Sequence, residues 1–113
     1  MLKKINRVSK RKAVEELRKA SIVYQSPIFG MLLLDKKDEE KRFLTVISKR
    51  ISKKAVVRNK LKRQMSEVIR INLDKIKTGI RVGFLVRVKI LDYKWEEIKT
   101  EIEKALRESG VME

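Results

Sequence analysis

Over Ala55 to Arg70 (AVVRNKLKRQMSEVIR) the apolar residues Val57, Leu61, Met65 and Val68 return at steps of four, four and three. That spacing puts them on one stripe of a helix that can pack on a sheet. The opposite face is polar: Asn59, Arg63, Ser66 and Arg70 recur at four, three and four, flanked by Arg58 and Lys62 on one side and Lys60 on the other. The helix is predicted to run on through Ile69, Leu73 and Ile76 until Thr78 and Gly79 stop it.

Around this helix the pattern alternates between other elements. Ser9 is expected to cap a helix reaching Ala20, with Ala13, Val14, Leu17 and Ala20 as its apolar stripe. Ser21 to Gln25 is β-branched and aromatic enough for a short strand, which Pro27 confines to an edge. Ile28 to Leu34 is almost continuously apolar and reads as a strand buried on both faces. Asp35 to Lys41 holds four acidic residues without the ligand alternation and glycine of a calcium loop, so it reads as a charged hairpin connection. Arg42 to Ser48 returns as a strand, and KRISKK (Lys49 to Lys54) leads into the central helix. Ile80 to Ile90 alternates, with Val82, Phe84, Val86 and Val88 on one face and Arg81, Arg87 and Lys89 on the other. Asp92 is expected to cap a last helix whose inner face carries Trp95, Ile98, Ile102 and Leu106, and Gly110 sits where a C-terminal cap belongs. The lone Trp95 reads as a packing residue.

This order predicts an α+β fold: a two-layer sandwich of a small mixed β-sheet with helices, in one domain over residues 1–113. Residues 1–12 are basic with few apolar groups, which predicts a mobile arm over residues 1–8.

Charge changes the picture. Thirty Lys and Arg against 15 Asp and Glu leave a net charge of +15, so the natural partner is a polyanion. Like charges one turn apart on the central helix each oppose folding by about a few tenths of a kcal/mol, which a bound polyanion relieves. There is no cysteine and no histidine. Disulfides, thiolate zinc sites, cysteine nucleophiles and imidazole acid-base chemistry are thereby excluded. No evident carboxylate pair replaces them, so no catalytic residue and no metal site is assigned. Cysteine-free composition suits a reducing cytoplasm. No stretch has the apolar length of a bilayer span, and the basic start, lacking an apolar signal core, reads as mature sequence.

Ser48 to Arg63 (SKRISKKAVVRNKLKR) resembles the bacterial ribonuclease P protein subunit: a basic connector, an Ala-Val step, then an Arg-Asn-Arg run closed by Lys-Arg. Ala55, Val56, Arg58, Asn59, Lys62 and Arg63 match, while the third motif position is Lys60, which keeps the charge and loses the planar fork. Ser26, Pro27, Ile28 and Phe29 resemble the family's Ser-Pro-x-Phe. The resemblance implies a ribosomal-protein-like RNA-binding fold with a left-handed strand-helix-strand crossover, against the general rule that about 98% are right-handed.

It also implies a function, the removal of the 5′ leader from precursor tRNA. The chemistry would lie in the catalytic RNA with RNA-held Mg²⁺, and the protein alone would bind no cofactor. Partners would be that RNA and precursor tRNA, with no DNA and no membrane. Arg58, Asn59, Lys60, Lys62, Arg63, Ser66 and Arg70 on the helix, extended by Lys49, Arg50, Lys53 and Lys54, would contact the catalytic RNA. The leader would enter a cleft between sheet and first helix, where the family offers aromatics. Here those positions hold Val14 and Arg18, leaving Phe29 and Tyr24 as nearby aromatics. A ribosomal or RNA-assembly protein of similar fold is the main alternative; a DNA-binding helix and a metal-dependent nuclease are further ones.

Overall fold

In the computed structural model, which describes residues 2–113, the chain forms α1 (Arg11–Arg18), β1 (Ile22–Gln25), β2 (Phe29–Asp35), β3 (Lys41–Val46), α2 (Ala55–Asn72), β4 (Ile80–Val86) and α3 (Trp95–Glu108). The strands make one sheet in the order β1-β2-β4-β3. Strand β4 pairs antiparallel with β2 and parallel with β3, and β1 adds antiparallel to the outside of β2. The mixed sheet is therefore built around a strand that enters late in the chain. Its entry overturns the hairpin expected at residues 35–41, because β2 and β3 lie on opposite sides of β4. The connecting loop is stitched to the start of β4 instead: Lys36 N–H donates to the Gly79 carbonyl, and Gly79 N–H to that of Glu40, both at 2.7 Å. Asp35 and Asp38 carboxylates accept the loop amides of Lys37 and Glu40 at 3.0 Å, a turn-forming use of acids.

One face of the sheet presents Phe29, Met31, Phe43, Val82 and Phe84 to α2 and α3, and all are buried. From α2 the stripe Leu61, Met65 and Val68 meets them, joined by Ile69, while α3 supplies Ile98, Ile102, Ala105 and Leu106. Each such large side chain contributes roughly 1.5–3 kcal/mol by leaving water. The other face carries a smaller cluster in which Leu17 of α1 packs on Leu32 and Val8. Buried Asn72 ties the two large helices together, donating to the Val68 carbonyl at 2.8 Å and to the Glu103 carboxylate at 2.9 Å.

Several boundaries differ from the sequence reading. Helix α1 starts at Arg11 with Lys10, not Ser9, at the cap and no capping side chain. The cause is Val8, whose N–H donates to the Phe43 carbonyl at 2.9 Å and holds the chain extended past Ser9. Helix α2 gives way at Leu73–Lys75 to a 3-10 turn, where the Leu73 carbonyl accepts both the Ile76 N–H at 3.2 Å and Lys41 Nζ at 2.8 Å. Strand β4 stops at Val86; Val88–Asp92 is a 3-10 turn that plunges Ile90 into the core. Helix α3 is capped at Lys94, whose amide is taken by the Glu97 carboxylate at 2.9 Å, and not by Asp92. The arm expected to be mobile over residues 1–8 is docked along β3 across its described part. Leu2 and Val8 are buried, Arg7 bridges to Phe43, and the Asn6 amide donates to the Lys41 carbonyl at 2.9 Å. Met1, the remainder of that arm, lies outside the described residues.

Candidate nucleic-acid interface

The connector before α2 is shaped by its own side chains. Ile51 is buried and anchors it, while a tight turn closes from Ile51 N–H to the Ser48 carbonyl at 3.0 Å. The Ser48 and Ser52 hydroxyls accept the amides of Arg50 (3.3 Å) and Lys54 (3.2 Å). With Ile51 turned in, Lys49, Arg50, Lys53 and Lys54 are all exposed. They crowd the N-terminus of α2, which has no acidic residue in its first turn. Cations at the positive end of a helix dipole destabilise the helix and favour an anion placed there.

Along α2, Asn59, Lys60, Lys62 and Arg63 are exposed and Ser66 is half-buried. Among the described residues none of the connector cations, nor Lys60, Lys62 or Arg63, forms an ion pair. Two other expected contact residues are engaged within the chain. The Arg58 guanidinium donates to the Ser52 carbonyl at 2.7 Å, and Arg70 makes a forked bond to Glu67 at 2.5 and 3.0 Å. That fork holds the Glu67 carboxyl below its ordinary range and raises the Arg70 guanidinium. On the far flank, Lys62 and Ser66 share a shallow depression with Arg7, Leu2 and the middle of β3. Arg7 thus joins the basic surface, a residue hidden from the sequence reading because its segment was expected to be mobile. The recoverable signal was the apolar pair Leu2 and Val8 bracketing it.

The four residues expected to line a leader cleft are not brought together. Val14 is half-buried against the cluster that includes Leu44 and Leu85, and Arg18 is exposed one turn further along α1. Phe29 and Tyr24 belong to the opposite side of the sheet. Phe29 has no exposed surface and stacks edge-on against Phe84 with ring centroids 5.0 Å apart, so no base can reach it. Tyr24 packs against the α3 side, where burial and then Glu108 push its hydroxyl pKa up. The strand alternation explains the error: Tyr24 pairs with Met31 and Ile22 with Leu32, so the α1 side receives Ile22. Ile22 is 43% exposed there, beside Gly30. Arg87 lies over the same glycine, donating to the Ser26 carbonyl at 3.0 Å and to the Gln25 side chain. Alternation along β4 predicts Arg87 on this face; Ile22 is the residue that sequence reasoning missed there.

The family model described as Ribonuclease P matches residues 2–110. The chain belongs to the ribonuclease P protein family. Among curated ribonuclease P protein components, that of Synechococcus sp. (strain JA-2-3B'a(2-13)) is 34% identical over 67 residues, 59% of this chain and 50% of its own length. That of Rippkaea orientalis is 30% identical over 116 residues, covering 98% of this chain and 91% of the relative. The solved RNase P protein of Staphylococcus aureus superposes with a TM-score of 0.85 at 21% identity, covering 97% of this chain and all of that one, which shows the fold. Within this ribonuclease P protein, no group of three or more acidic side chains that could hold a metal ion is found among the described residues. None of its described helices is long and apolar enough to cross a membrane.

Proposed function

We propose that the chain is the protein subunit of the ribonuclease P holoenzyme and assists RNA-catalysed removal of the 5′ leader from precursor tRNA in the bacterial cytoplasm. One observation carries this reading: Lys49, Arg50, Lys53 and Lys54 on the connector and Lys60, Lys62 and Arg63 on α2 are exposed cations without an ion pair among the described residues, in a ribonuclease P family member. Such a surface takes phosphates, Arg63 by paired hydrogen bonds and the lysines as point charges. Arg58 shapes the connector that presents them. The leader would cross the α1 side of the sheet, over Ile22 and near Arg87 and Arg18, where charge and apolar surface replace stacked aromatics. The chain has no histidine or cysteine, and several of its acids are engaged in turns and ion pairs. In this reading the bond cleavage and the Mg²⁺ it uses therefore belong to the catalytic RNA, and the protein binds, orients and neutralises.

The test is precursor-tRNA cleavage at low Mg²⁺ by a bacterial ribonuclease P RNA, with and without the protein and with a Lys62→Ala, Arg63→Ala variant. Stimulation at the mature 5′ end that the variant loses is the expected result. Tight binding to structured RNA without stimulation of several bacterial RNAs would replace this reading with a ribosomal or assembly-factor role.

A further inference from the structure

Beside the basic face of α2, bordered by Lys60, runs a groove whose apolar lining neither the phosphate contacts nor the leader path employ. It lies between the first turns of α2 and the segment leading into α3, and encloses about 570 Å³. That is within the size range of sites that seat small organic groups. Val56, 78% exposed, and Leu91, 47% exposed, form its lips; Tyr93 and Trp95, both half-buried, line its wall. A second hollow continues it along α2 to Arg63 and Glu67, and the two share Gln64 and Trp95. Trp95 therefore has two roles, packing against the main core while also lining the groove.

Exposed apolar surface of this kind marks a binding site, and its surroundings say for what. Lys60 and Lys94 stand on the groove and Arg63 at its continuation, against one acid on its α3 side, Glu96; all four are exposed and without an ion pair among the described residues, so cations outnumber acids there. Glu67, the acid nearest to Arg63 along this stretch, is already neutralised by Arg70. An aromatic wall between free cations suits a base with its flanking phosphates better than an apolar peptide. Gln64, at the junction, offers both a donor and an acceptor to a base edge.

We propose that this groove seats an unpaired nucleotide of the RNA bound by α2, its base stacked on Trp95 and its phosphates held by Lys60 and Arg63. The inference rests on the holoenzyme reading and deepens it, adding a single-stranded, base-contacting point to a surface that otherwise grips only backbone.

Trp95 is the only tryptophan, so its fluorescence reports the site directly. The full chain is titrated with a bacterial ribonuclease P RNA transcript while binding is followed independently by filter retention and function by leader cleavage. Expected are quenching of Trp95 emission, loss of its accessibility to acrylamide, and binding weakened about tenfold by Trp95→Ala and severalfold by Gln64→Ala, with Trp95→Phe close to wild type. Trp95→Phe and the wild-type emission keep the test alive if Trp95→Ala does not fold. Transcript that binds and stimulates cleavage while emission and acrylamide access stay unchanged overturns the groove proposal alone. A folded Trp95→Ala chain with wild-type affinity does the same. Absence of any binding overturns the holoenzyme reading and the proposal with it.

Discussion

The guanidinium of Arg58, in the first turn of α2, reaches back six residues to the carbonyl of Ser52 at 2.7 Å. An arginine in the middle of an apparent binding motif thus closes the connector on the helix. Arg58→Ala should weaken RNA binding by about tenfold by loosening the connector, a loss of one charge-assisted hydrogen bond worth about 1.5 kcal/mol or more. Faster hydrogen exchange at Lys53 and Lys54, absent from an Arg63→Ala control, would identify the route; unchanged exchange would return Arg58 to direct contact.

Arg63 and Arg70 lie on one face of α2 but differ in what they already hold. Lys62→Ala combined with Arg63→Ala should flatten the dependence of log affinity on log salt by about 1.4 to 1.8, since each lost phosphate contact removes about 0.7 to 0.9. Arg70→Ala, whose partner Glu67 already neutralises the charge, should leave that slope nearly unchanged. Filter binding across a salt series separates the two.

Phe29 is a core residue, and its truncation should be felt as stability. Phe29→Ala should cost about 3–5 kcal/mol by removing the edge-on partner of Phe84 and leaving a cavity. Urea unfolding measures this. A marginal change, with selective loss of leader affinity, would put the ring in the cleft after all.

Gly79 and Gly110 both adopt positive φ, +82° and +84°, in different surroundings. A Cβ at Gly79 would lie 3.0 Å from backbone atoms of Asp38, whereas one at Gly110 meets nothing within 4 Å. Gly79→Ala should therefore destabilise by about 2 kcal/mol or more and Gly110→Ala by about 1 kcal/mol, the left-handed backbone alone. Equal melting temperatures for the two variants would contradict this.

Acid should release the loop between β2 and β3. Arg81 hydrogen-bonds the Asp38 carboxylate at 2.5 and 3.2 Å, and holds its pKa below the ordinary value of about 3.9. Because the folded pKa is the lower one, the contribution is whole well above that ordinary value. It is lost as pH falls from there through the folded pKa. Asp38→Asn should remove part of the acid-induced fall in melting temperature and leave the neutral-to-alkaline limb unchanged, as thermal melts at several pH values would show.

The periodic parts of this fold were legible in the sequence. The apolar stripe of α2 and the inner face of α3 follow from spacing and the edge character of β1 from Pro27, and the structure places them so. What spacing does not carry is long-range pairing. Nothing near Asp35 announces that β4, entering at Ile80, will separate β2 from β3, and the apolar pair Leu2 and Val8 beside Arg7 signals docking without naming Phe43 as the partner. The site divides in the same way. Exposure of the connector cations follows from local chemistry, but the engagement of Arg58 and Arg70 needs side-chain geometry. The misplacement of Tyr24 came from strand parity, which shifts at the irregularity between Ile22 and Tyr24.

The docked N-terminal segment has a consequence for how this chain behaves before it meets its partner. A sheet edge with free amides and carbonyls is a template for another molecule's strand, and β3 is such an edge. Residues 7 and 8 sit along it, at the Phe43 position, with Leu2 and Val8 buried as anchors. The opposite edge is protected differently, by a strand of only four residues that ends just before Pro27. Self-association through the sheet is thus hindered at both sides, so mutual repulsion at +15 is not the only thing keeping copies apart. When a polyanion cancels that repulsion and draws several copies close, the chains still lack a matching edge to zip together.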